Sequence, residues 1–242
     1  MFRHKGNSRT FKHNFRLAVF LSFIAGLVNI CGVLALGILT TNVTGHFAYL
    51  AEGVVKQNNV ALVYSLFYIV FFLLGAFISS LLTEYFINRS YNAPHRASML
   101  VELCLLLILG IYGDILIGKG FSRPLLACIM LFTMGLQNSL VSKVSDSAVR
   151  TTHLTGLFTD LGIELSQLFF RIEKDQRRKL LRNIGLKGGI IVFFFSGCMI
   201  GGFLYSILKF KILLIAAGTL IIALIYDNIR LFIAGYEENL MQ

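Results

Sequence analysis

Charge is scarce in this chain: charged residues make up 14% of its 242 positions, against 56% for hydrophobic ones. A soluble domain carries about 25% charged residues and has no interior for so large an apolar share. The mean hydropathy of +0.76 points the same way, to an integral membrane protein. Cysteine is also sparse. Cys31, Cys104, Cys128 and Cys198 stand singly inside apolar runs with no CxxC spacing, which argues against a disulfide framework or a thiolate metal site. No pair of histidines has the spacing of a zinc-binding helix. No serine or cysteine nucleophile motif is legible. Neither a metal nor a cofactor is therefore expected.

What the chain does have is long apolar runs. Six stretches reach the roughly 20 residues that a transmembrane helix needs, at about 17–37, 60–82, 97–117, 124–142, 188–208 and 212–234. They are too long and too uniformly apolar for an outer-membrane barrel, so helices are the expected spanning element. The net charge of +10 lies in the segments between these stretches. It is a topological signal, and no nucleic-acid partner is expected. Residues 1–16 hold Arg3, Lys5, Arg9, Lys12 and Arg16 with no acidic residue, so the positive-inside rule keeps this tail cytoplasmic. Six crossings then return the tail 236–242 to the same side. The reading is a multi-pass protein of a bacterial cytoplasmic (inner) membrane with both termini cytoplasmic. The segment 171–187 mixes basic residues with Leu180, Leu181 and Ile184, as an amphipathic helix on anionic lipid would.

One phrase occurs twice. Thr40-Thr41-Asn42-Val43-Thr44-Gly45-His46-Phe47 and Thr151-Thr152-His153-Leu154-Thr155-Gly156-Leu157-Phe158 share Thr-Thr-x-x-Thr-Gly-x-Phe. Each follows an apolar stretch containing Gly-Leu-x-Asn, ending at Asn29 and Asn138. Gly75 to Leu82 further matches Gly201 to Leu208. The expected fold class is thus an all-α membrane protein of six helices in two three-helix repeats, 17–117 and 124–235, each with a short broken or re-entrant helix after its first span. Three spans per half make the repeats inverted, as in many secondary transporters. Were the short helices, about 44–56 and 155–170, to cross the membrane, the repeats would instead be parallel.

The Gly-Leu-x-Asn and Thr-Thr-x-x-Thr-Gly phrases, with Met134-Gly135-Leu136-Gln137-Asn138 and Arg150 to Gly156, resemble the YoaK-type family of bacterial six-helix membrane proteins. The resemblance spans about residues 15–235. It implies a fold and a membrane location, since the family is a domain of unknown function. The chain departs from the type at Asn29, where many such proteins have Asp, and at His46, where they have Asn.

Chemically, a Thr-Gly break before a short helix offers first-turn amides and a positive dipole end to an anion or carbonyl, with Thr44 or Thr155 as cap. The alternative role for Thr-Gly is close helix packing. Candidate substrate-binding residues are Asn29, Thr41, Asn42, Thr44, Gly45, His46, Asn138, Thr152, His153, Thr155 and Gly156. Asp160 and Glu164 share one helix face and, with Glu52, are candidates for proton or ion coupling. Glu102 and Asp227 lie near enough to the boundary to be hydrated and need no role. Arg150 is a candidate partner of Asp146. The leading reading is a small secondary transporter or permease of a small, anionic organic solute around a central site near the two motifs, with the chemistry concentrated on the second copy. Self-association is compatible with it. The alternatives are an intramembrane enzyme using His153 with Asp160 or Glu164, and a non-transporting scaffold or sensor.

Overall fold

The computed structural model describes residues 11–89, 91, 93–145, 151–170 and 173–225. Every regular element among them is helical: α1 (Phe11–Leu36), α2 (Val43–Val55), α3 (Asn59–Asn88), α4 (Arg96–Gly118), α5 (Arg123–Ser145), α6 (Leu154–Gln167) and α7 (Lys174–Leu208). A single 3-10 turn, Lys209–Lys211, leads into a last helical run over 212–225. The tails 1–10 and 226–242, and with them Asp227, lie outside the described residues, as do Asp146 and Arg150.

Five helical stretches are long and apolar enough to cross a bilayer: Ala18–Leu36, Asn59–Asn88, Arg96–Gly118, Arg123–Lys143 and the 52-residue run Lys174–Ile225. The last is not straight. Lys209 has φ 46°, and Gly201 lies beside Ile212, a residue that a continuous helix would hold about 16 Å farther along. The chain therefore turns back on itself there. By contrast α2 and α6, with 13 and 14 residues, are only about 20 Å long, short of a hydrocarbon core of about 30 Å.

The segment expected to form a separate surface helix does not do so. Residues 174–187 are the first turns of α7, continuous with its apolar part, because no proline interrupts the helix and Gly185, Gly188 and Gly189 are each tolerated within it. At 35 residues α7 is about 52 Å long, so its basic turns extend past the apolar length within the same uninterrupted helix.

Side-chain neighbours fix the helix directions. Phe15 meets Gly189, Gly26 meets Gly197 and Ile30 meets Gly201, so α1 and α7 run parallel. Tyr68 packs with Cys128, Gly75 touches Phe132, and Lys143 reaches Ser80, so α3 and α5 also run parallel. The Gln137 amide donates to the Leu21 carbonyl (2.8 Å) while Gly32 lies beside Met130, making α1 and α5 antiparallel. On α4, Gly110 meets Leu214 and Gly113 meets Phe210, an antiparallel pairing with the last run. At two crossings the backbones touch. A methyl on Gly26 would strike the Phe194 carbonyl and one on Gly197 that of Phe23; methyls on Gly75 and Gly135 would strike the carbonyls of Phe132 and Phe72. Small residues permit such approach where lipid offers no hydrophobic drive to associate.

The core sits around α1 and α5. Half of the apolar window of α1 and 67% of that of α5 is buried, against 17% for α3, whose uncovered apolar side chains identify it as peripheral.

Candidate functional site

After α1 the chain reverses at Gly37 (φ 72°), whose amide and that of Ile38 bond back to the carbonyls of Val33 and Gly32. It then descends beside the helix it has just left. Asn29 Oδ1 accepts from the Thr40 amide and from the Thr41 hydroxyl, each at 3.1 Å. Since Asn29 lies seven residues before the end of α1, the Thr-Thr turn sits roughly 10 Å back inside the bundle. The second copy does the same. Asn138 Oδ1 accepts from the Thr152 hydroxyl at 3.0 Å, seven residues before the end of α5. Buried Thr151 meets the Gln137 amide at 3.5 Å. Both turns are thus re-entrant, entering from the ends of two antiparallel helices.

Each short helix begins at its turn and runs outward. The cap of α2 is Asn42, whose Oδ1 accepts from Gly45 N at 3.0 Å. In α6 the cap position is His153, with no side-chain cap bond and its ring over Gly156. Thr44 and Thr155 are therefore first-turn residues and not caps, because the helices start two residues earlier than caps at the threonines would give. Both are uncovered by protein, as are Asn42 and His153.

His46 behaves differently from the rest of its copy. It is 2% exposed, its Nε2 donates to the Leu39 carbonyl at 2.8 Å, and its ring meets Tyr68 edge-on at 5.3 Å. Nδ1 is left as a buried acceptor with no partner. Burial lowers its pKa below the usual histidine value, only partly offset by the Leu39 carbonyl. A cleft of about 390 Å³ opens beside it between α2 and the start of α3, lined by Tyr49, Glu52, Lys56, Asn58, Tyr64 and Tyr68 among others. Glu52 hydrogen-bonds Lys56 one turn on and raises the lysine's pKa.

A second cleft, of about 370 Å³, lies between α6 and the first turns of α7. Here the two carboxylates singled out in the sequence converge on one cation: Lys187 Nζ lies 2.9 Å from Glu164 and 3.5 Å from Asp160. The Glu164 side chain is 14% exposed and Lys187 18%, while Asp160 is 57% exposed. Lys187 was invisible as a partner so long as 171–187 read as a separate element. No hydrogen bond joins His153 to Asp160 or Glu164 among the described residues.

The candidate residues therefore fall into two groups of turn, short helix and cleft. One comprises Asn29, Thr41, Asn42, Thr44, Gly45, His46 and Glu52, the other Asn138, Thr152, His153, Thr155, Gly156, Asp160 and Glu164. Sequence reasoning misplaced one further residue. Glu102 on α4 is 0% exposed, and neither carboxyl oxygen has a hydrogen-bond partner, so it is not at a hydrated boundary. The signal was available: it is the lone charge in the apolar stretch from Met99 to Tyr112.

The family described as "Protein of unknown function (DUF1275)" matches residues 17–226. The "UPF0700 transmembrane protein YoaK" of Bacillus subtilis (strain 168) is 27% identical over 183 residues, covering 74% of this chain and 79% of that protein. No solved structure matches.

Proposed function

The chain belongs to the DUF1275 family of multi-pass membrane proteins, and from that premise we propose that it is a small secondary transporter built from two inverted repeats. In this reading α1, α3, α4, α5, α7 and the last run make six crossings with both termini cytoplasmic. Two half-length helices, α2 and α6, point their N-terminal ends inward from opposite faces. The substrate is a small organic anion, received where positive helix ends meet re-entrant turns. The basic turns of α7 reach the anionic inner leaflet.

The observation that carries the reading is the correspondence of the two clefts. Moving 111 residues along the short helices takes Tyr49 to Asp160, Glu52 to Ile163, Gly53 to Glu164 and Lys56 to Gln167. Moving 122 residues along the following helices takes Asn58 to Leu180, Ala61 to Asn183 and Ser65 to Lys187. All fourteen positions line one cleft or the other. The shift of 111 also takes Thr41 to Thr152 and that of 122 takes Gly75 to Gly197, while a shift of 109 along the first helix of each half takes Asn29 to Asn138 and Gly26 to Gly135, so the Asn29–Thr41 bond and the Gly75–Gly135 crossing each have a counterpart. These shifts equate Gly75 with Gly197 and not with Gly201, one helical turn from the match that the sequence suggests. Antiparallel α1 and α5 support inversion. Were α2 and α6 full crossings, those two helices would run parallel.

Single cysteines at Ala61 and Asn183, in a chain whose four native cysteines are replaced, test the inversion. An impermeant maleimide should label the first only from outside and the second only from inside; labelling of both from one side would refute it. For transport, organic acids that raise the melting temperature of the purified protein are tested for counterflow in proteoliposomes. Substitution of Thr41 and Thr152 by valine should cut flux at least tenfold. Binders that show no flux above protein-free liposomes would overturn the reading.

A further inference from the structure

We propose that Glu102 is an exchangeable proton-binding site inside the helix bundle and the coupling acid of the transport cycle. The coupling role rests on the transport reading above. The proton itself does not.

Glu102 lies six residues after the start of α4, or roughly 10 Å along it. It is fully covered by protein, with both oxygens unpartnered, and no described lysine, arginine or histidine pairs with it. An ionised carboxylate left this way forfeits its hydration and gains nothing in return, so the group carries its proton in this state. It also does nothing for the fold. With no bond to lose, a leucine or glutamine of similar size would suit the site better. An intramembrane acid of this kind calls for a functional explanation.

The surroundings supply a route. Ser98, one turn before Glu102 on the same face, donates to the Ser79 carbonyl of α3 at 3.1 Å. His95 lies two turns before Glu102 and is 2% exposed. Ser79 and Thr83 of α3 are fully buried with unpartnered hydroxyl oxygens. These side chains form a buried polar strip between two otherwise apolar helices. It leads from Glu102 to the end of the bundle where Glu84 of α3 pairs with Lys143 of α5 at 2.6 Å. The register set by Ser98 and Ser79 puts Glu102 level with Gly75, at the α3–α5 crossing and close to the depth of Asn138. Other titratable groups on the elements packed against α4 lie elsewhere. Asp114, Arg123, Lys209 and Lys211 are toward the opposite end, and Glu84 and Lys143 satisfy one another. When α4 separates from α3, water can enter along the strip and Glu102 can release its proton: the O–H bond breaks, the proton passes to water, and the carboxylate stays hydrated until the helices close.

The test begins with no substrate. Dicyclohexylcarbodiimide, which partitions into apolar sites and adds to protonated carboxyls, should modify Glu102 in membranes at neutral pH, seen as the adduct mass on the peptide containing it. A water-soluble carbodiimide should not, and modification should fall as pH is raised. Glu102→Gln should abolish the adduct while retaining the fold, read by the melting temperature. Absence of the adduct in folded wild-type protein, or equal reaction with the water-soluble reagent, overturns the site. Protection by sodium at constant pH also overturns it, by identifying a cation site instead. Where flux is measurable, Glu102→Gln should abolish its pH dependence and Glu102→Asp retain it. A pH dependence unchanged in Glu102→Gln overturns the coupling role, whatever the labelling shows.

Discussion

Substituting alanine for Gly26 should destabilise the protein through a backbone collision that no side-chain rearrangement can relieve. The added methyl would meet the Phe194 carbonyl, the Cys198 amide and the Gly197 α-carbon, all main-chain atoms of α7. The helices must therefore move apart, losing contact along one of the crossings that cover α1, half of whose apolar window is buried. Overpacking of this kind costs about 1–3 kcal/mol, and the intrinsic helical gain of alanine over glycine, up to about 1 kcal/mol, offsets part of it. A net loss of about 1–2 kcal/mol is expected. Gly185, with nothing within 4 Å of its position, is the control, and alanine there should be neutral or stabilising. The sharper test is a pair of double variants. Gly26→Ala with Gly197→Ala strains one crossing twice, and once the helices have separated the second methyl costs little, so the sum should fall short of additivity by about 1 kcal/mol. Gly26→Ala with Gly135→Ala strains two crossings and should be additive within about 0.5 kcal/mol. Unfolding in detergent followed by far-UV circular dichroism measures both, since the chain has no tryptophan. Additivity in the first pair, or a neutral Gly26→Ala, would refute the crossing as described.

Asn29→Ala should cost more than Asn138→Ala, by about 1 kcal/mol in the same assay. It strands a buried main-chain amide as well as a hydroxyl, whereas Asn138 serves a hydroxyl alone among the bonds described. Lys187→Met should destabilise by about 1–3 kcal/mol by leaving Glu164 largely buried without its partner, and the additional change Glu164→Gln should restore most of the loss. Lys56→Met, at an exposed ion pair, should leave the melting temperature unchanged. His46 gives a pH signature. Its folded pKa lies below the usual 6.5, so between those two values the unfolded chain binds more protons and stability rises with pH. Wild type should therefore lose stability on acidification below about pH 6.5, and His46→Leu, which installs the residue found at Leu157, should lose less over the same interval.

Much of the architecture was legible because lipid imposes it. Five apolar runs of about 20 residues fall, to within a residue, in the helices found, the described part of the sixth, 212–225, is helical as well, and the repeated Thr-Thr phrases mark two similar turns that fold back beside the preceding helix. What the sequence concealed was mostly relational. Gly75 was paired with Gly201 because both open similar apolar strings, whereas packing decides the register through which glycine meets a backbone carbonyl. The basic segment that opens α7 looks like a separate element in the sequence because the composition changes abruptly after it, yet composition breaks a helix only where proline or a cap intervenes. Thr44 and Thr155 looked like caps because threonine is a good one, but the preceding Asn42 is better placed and takes the Gly45 amide. Glu102 was read from its distance to the helix end. Exposure in a bundle depends on which face a residue occupies, and Ser98, Met99, Glu102 and Leu106 all occupy the buried face of α4.

These corrections move the chemistry within the molecule. The sequence concentrates charge around the second motif, and there the structure pairs it: Asp160 and Glu164 share Lys187 beside the cleft. The polar groups buried without partners lie chiefly in the first half, at His46 Nδ1 beside the other cleft and at Glu102 along the α3–α4 strip. Salt should weaken the first kind of site and pH should govern the second, because screening acts on exposed pairs such as Lys187–Asp160 and barely reaches a group with no exposed surface. If the two halves are inverted copies, their division of labour follows from this difference: charge held in pairs around the second cleft, and in the first half the groups whose protonation a conformational change can alter.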